Sequence, residues 1–124
     1  MKVTLTFVPP GGGEQDYMLD FELPALPREG DYISVRRKGA VKRSDGKEEF
    51  GTEDFIVRRI WWHLETPEDR WVVEAGKERI GSYGSIVVEC EFAIGGFSSE
   101  SHKAAVQMYE NRGKQPRKFE MSGY

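Results

Sequence analysis

At 124 residues, with 38% apolar and 12% aromatic side chains, the chain has material for one modest core and a single domain. Its 18 lysines and arginines against 21 acidic residues leave a formal charge of −3, which argues against a dedicated duplex-binding protein. One cysteine, Cys90, excludes an internal disulfide framework and any zinc site built on a cysteine pair.

The opening MKVTLTFVPPGGG carries one lysine and no continuous apolar run. It reads as neither signal peptide nor membrane span, so a soluble protein of a reducing compartment with no membrane attachment is expected. Within it, residues 2–8 set Val3, Leu5 and Phe7 against Lys2, Thr4 and Thr6, a half-buried strand. PPGGG breaks that strand. Residues 16–23 alternate again, Tyr17, Leu19, Phe21 and Leu23 against Asp16, Met18, Asp20 and Glu22, and a short connection makes the pair antiparallel. LPALPREGD is a turn region, after which Ile33 and Val35 face inward on a strand over 32–38. The charged stretch 37–53, with its Asp45-Gly46 turn signal, predicts a mobile, twisted hairpin extension or a long loop.

Residues 55–65, FIVRRIWWHLE, fit no single alternation. The turn Thr66-Pro67-Glu68-Asp69 fits type I, and pairing across it sets Leu64 opposite Trp71 and Trp62 opposite Val73. Strands over 54–65 and 70–75 then carry Ile60, Trp62, Leu64, Trp71, Val73 and Ala75 on a core face, with Trp62 buried. Phe55 and Val57 join that face if a β-bulge lies at Arg58-Arg59, which turns both arginines outward. The opposite face holds Trp61, His63, Glu65, Arg70, Val72 and Glu74, and Trp61 is the odd residue on it. Cover by Tyr109 and Met108 of the C-terminal helix explains it most simply. A contact with a second chain is the next explanation, since aromatics and arginine anchor interfaces. A nucleotide or small ligand stacked on the ring is the third.

Residues 85–94 form the cleanest strand, Ile86, Val88, Cys90, Phe92 and Ile94 against Val87, Glu89, Glu91 and Ala93. Beyond Gly95-Gly96 the period becomes helical over 99–112, with Ala105, Val106, Met108 and Tyr109 on one stripe. Ser98 or Ser99 suits the N-cap, Gly113 the left-handed stop, and Pro116 prevents continuation before a tail over 114–124. The expected fold is mainly β: an antiparallel curled sheet of about six strands, a small barrel or sandwich, with one C-terminal α-helix.

The chemical motifs are sparse. His63 and His102 are the only histidines, and each suits a structural role on its element. Cys90 lies on an apolar row as a small hydrophobe, on the face opposite to His63, so the two form no nucleophile pair. Glu89 and Glu91 share an outward face and read as solubilising. GKERIGSYG lacks the lysine of a P-loop and the GxGxxG of a dinucleotide fold. RRKGAVKR is the strongest charge cluster, with Arg36, Arg37, Lys38, Lys42 and Arg43 as phosphate-contact candidates. The acidic DGKEEFGTED that follows offers a charge-paired hairpin instead. LPREGDYISV, FIVRRIWW and WVVEA together resemble a small SH3-like barrel meander; the likeness covers about two-fifths of the chain and carries no active site with it.

No catalytic residue, metal site or cofactor is expected. A non-catalytic protein-binding or self-assembling module is expected, a homo-oligomer or partner-bound protein using Arg59, Trp61, His63 and Val72. Nucleic-acid or phospholigand binding through 36–43 is the alternative, and an enzyme with a composite site between subunits the second. Phage structural and counter-defence components are among small proteins of this kind.

Overall fold

The computed structural model describes residues 1–42, 46, 48–67 and 80–118, and only the backbone of 38–42 and 48–50. Strand β1 (Lys2–Val8) and strand β2 (Tyr17–Glu22) pair antiparallel from Lys2↔Glu22 to Phe7↔Tyr17. Val3, Leu5 and Phe7 are all buried, as their alternation requires. Strands β3 (Tyr32–Lys42), β4 (Glu48–Glu65) and β5 (Ser82–Ile94) follow, then helix α1 (Glu100–Asn111) and the short strand β6 (Arg117–Lys118).

The sheet runs β2-β1-β5-β4-β3, with β6 attached to β5. It is mixed, which corrects the expected purely antiparallel arrangement: β5 lies parallel to β1 from Thr4↔Val87 to Val8↔Glu91, and β6 lies parallel to β5. Each connection from β1 to β5 reverses the chain, so β5 returns in the direction of β1. One edge of β1 is taken by β2, and β5 fills the other.

The sheet curls into a half-barrel. Phe7, Phe55, Val57, Ile86, Val88, Cys90 and Phe92 line its core face with Val106 of the helix. Tyr17 on the β2 flank stacks on Phe7, its ring centroid 4.5 Å away, and donates a hydrogen bond to Glu53 of β4. The Arg37 guanidinium of β3 sits 5.4 Å from the same ring and pairs with Glu53 at 3.1 Å. The two flanks are therefore drawn towards each other across the aromatic core.

The β3–β4 pairing runs on to Lys42↔Glu48, with a register shift between Arg36 and Ala40. The charged stretch is thus a hairpin extension, longer than the strand expected over 32–38. Of the resembled meander, the first two segments pair as β3 and β4. The third falls in 70–75, and that strand, with Trp71, Val72 and Val73, lies outside the described residues.

Helix α1 begins where Ser99 Oγ accepts the His102 amide and stops before Gly113, whose φ of 86° is the left-handed value foreseen for it. The Ser99 amide donates to Thr52 O at 2.9 Å, tying the helix start to β4. His102 and Val106 form its buried stripe, flanked by Ala105 and Tyr109. Met108, expected on that stripe, is exposed, because His102 one turn before Val106 centres the stripe away from it.

Candidate functional site

The bulge at Arg58 is present: β4 pairs with β5 through Val57↔Cys90 and then Arg59↔Glu89, skipping one residue. It places Ile60, Trp62 and Leu64 on the face of Phe55 and Val57, opposite Val88, Ile86 and Tyr83. Trp62 is nevertheless 52% exposed and Leu64 72%, which corrects the expected burial of Trp62. The core face continues past the core. Strand β1 flanks β5 no further than Val87, and α1 is anchored at the far end, by Thr52 and Ala93. Among the described residues, the ribbon of 60–65 and 82–86 therefore extends past the sheet as two strands, with its apolar face exposed. Tyr83 is 57% exposed there, and Ile80, earlier in the chain, is also exposed. Trp62, Leu64, Pro67 and Tyr83 border a groove of about 580 Å³. On the side of β4 away from β5, no strand pairs beyond Ile56 among the described residues.

The other face of the ribbon holds Arg59, Trp61 and His63, in register with Glu89, Val87 and Ser85. The Arg59 guanidinium is 5.6 Å from the Trp61 ring, and its Nε is 3.1 Å from Glu89 Oε2. The structure thus brings Arg59 and Trp61 together, with His63 exposed two residues on. The helix does not cover Trp61. It packs on Phe55 and Phe92, on the opposite side of the sheet, and Trp61 stays 41% exposed. Val72 lies outside the described residues.

Glu89 and Glu91, read as solvent-facing, are both buried. The turn over 9–13 folds onto this face, where Gly11 N donates to Glu91 Oε2 at 2.7 Å. A Cβ on Gly12 would stand 2.9 Å from Arg58 Nε, so the turn hugs the arginine side chain, and Gly12 has a φ of 94° besides. Arg58 and Arg59 both reach Glu89 Oε2, at 3.2 and 3.1 Å, without aligning a hydrogen bond to it. Alternation predicted which face these acids occupy. It carried no sign that a glycine-rich turn and three arginines cover that face.

Arg36 and Arg37 point to opposite sides of β3, and Arg37 is taken up by Glu53 and Tyr17. Arg36 borders a groove of about 420 Å³ with Ser34, Thr52 and Phe97. Lys38 and Lys42 belong to the backbone of β3, and Arg43 lies outside the described residues. Arg36 and Arg37, the candidates whose side chains are described, thus diverge.

His102 is a core residue, its ring parallel to Phe92 and its Nε2 2.7 Å from Ala93 O. A carbonyl only accepts, so Nε2 carries the hydrogen, and the Asp54 amide 3.3 Å from that nitrogen is a contact rather than a bond. Asp54 itself is fully buried and accepts from the Ser34 and Ser98 hydroxyls, which tie β3 and the helix approach to β4. Among the described residues no group of three His, Cys, Asp or Glu side chains is placed to hold a metal ion, and no helix is long and apolar enough to cross a membrane.

Sequence reasoning missed Leu64, Ile80 and Tyr83 as exposed apolar residues. The signal was a difference in length: β4 and β5 run well past the seven residues of β1. No protein-family model matches the chain, and no characterised protein or solved structure matches it.

Proposed function

We propose that this protein is a binding module that works by pairing with a second copy of itself through the distal β4–β5 ribbon. The observation that carries the reading is the exposed row Trp62, Leu64 and Tyr83, continuous with the core face, beside a stretch of β4 with no described strand neighbour. Exposed apolar residues grouped in this way mark contact surfaces, and an unpaired strand edge invites another strand.

The sequence of that edge complements itself. A two-fold axis normal to the sheet at Trp62 would set Arg59 opposite Glu65 of the other copy and Ile60 opposite its Leu64. Trp61 would meet His63, and Trp62 its own counterpart. Opposite charges and apolar residues are thus matched twice over, the pattern of an isologous contact. Sedimentation at micromolar concentration should show a species heavier than one 14.2 kDa chain. Leu64→Glu, on an exposed side chain, should return it to monomer with its circular dichroism unchanged. A wild type that is strictly monomeric across that range overturns the proposal.

A further inference from the structure

Glu91 is 1% exposed and lies on the face opposite the aromatic core. Its two carboxylate oxygens face two distant parts of the chain. Oε2 accepts the Gly11 amide at 2.7 Å, from the turn between β1 and β2. Oε1 lies 2.7 Å from Arg117 Nη2, an ion pair outside the hydrogen-bonding direction. Arg117 is half of the two-residue strand β6, which lies against Ala93 and Ile94 of β5. Strand β1 ends its pairing at Val8↔Glu91, so β1 and β6 occupy one lane beside β5 and Glu91 stands at the junction.

A buried carboxylate needs its counter-charge and its donors together, because losing one leaves the other facing an unpaired charge. Beyond its pairing with β5, β6 reaches the helix through Lys118 Nζ, 4.0 Å from Glu110. We propose that Glu91 is a shared latch, through which the turn over 9–13 and the C-terminal strand dock and release as one unit. Detaching β6 withdraws the guanidinium, the carboxylate then turns towards water, and the Gly11 amide loses its acceptor. Release also frees the edge of β5 at Ala93 and Ile94 for another strand.

Amide hydrogen exchange on the full chain tests the coupling. Arg117→Met keeps the side-chain stem on an exposed strand and removes the charge. Exchange at Ile94, whose amide faces β6, and at Gly11, 80 residues from its acceptor in sequence, should both accelerate about tenfold. Amides of β2 and α1 should be unchanged. Glu91→Gln should accelerate the same two amides, and the double variant should go no further than either single one. Acceleration at Ile94 alone would show that the two ends are independent and overturn the latch. So would no change at either amide, or an equal rise throughout the chain.

Discussion

Cys90 sits in the central strand, wholly buried among Phe7, Val57 and Val88 on the core face. Burial pushes its thiol up from 9.0 to about 12, with the neighbouring Glu89 charge adding to the effect. Burial likewise raises Tyr17, reinforced by Glu53, and Tyr109, reinforced by Asp16. All three are acids held neutral in the fold, so the folded chain keeps protons that the unfolded chain releases. Their contribution is fully present below pH 9.0, and that of Cys90 is lost as pH rises towards about 12. Urea midpoints should therefore stay level up to about pH 9 and fall steadily above it, with Cys90→Ala lessening the fall. The same burial should keep Cys90 from reacting with a thiol reagent at about pH 8 unless the chain is unfolded. Rapid labelling of the native protein would place the thiol at the surface.

At the scale of the element, β4 has two lives on one face. Up to Val57 it lies between β3 and β5 under the helix; from Trp62 onward, among the described residues, it pairs with β5 alone. Phe55→Ala should destabilise by about 3–5 kcal/mol, since it leaves a cavity among Phe7, Phe92 and His102. Trp62→Ala, measured dilute enough that chains are separate, should cost about 1 kcal/mol. Chemical denaturation distinguishes them, and equal losses would mean that the ribbon face is covered within one chain. The bulge between these halves was readable in FIVRRIWWHLE, because a simple alternation sets Phe55 and Leu64 on opposite faces with one arginine on each. The exposure of Trp62 was not readable. Alternation reports which residues share a face and is silent on whether a neighbouring strand or helix reaches them.

For the whole molecule, the disposition of charge bears on partners. Arg37, Arg58, Arg59 and Arg117 are each within ion-pairing distance of Glu53, Glu89 or Glu91, and the net charge is −3. Guanidinium groups neutralised in this way have little to offer a phosphate backbone. Immobilised duplex or single-stranded DNA should not retain the protein even at low salt. Retention that weakens steeply with salt, and is lost in an Arg36→Gln variant, would instead favour a phosphate site at the groove beside Phe97.

The sequence by itself determined the elements with a strong local signal: β1 and β2 with their turn, the Cys90 strand and the helix with its Ser99 start and Gly113 stop. It also located the bulge and put Arg59 beside Trp61. Those features depend on period and on backbone preference, both of which are local. Tertiary structure alone decided that β5 runs parallel to β1, that Glu89 and Glu91 are buried, and that Trp62 and Leu64 are left in solvent. Each of these depends on which distant segment lies alongside. The turn over 9–13 and β6 both meet Glu91 across the fold, and β1 ends before it can flank the ribbon. Contacts of that kind form between residues tens of positions apart, so no window of sequence contains them.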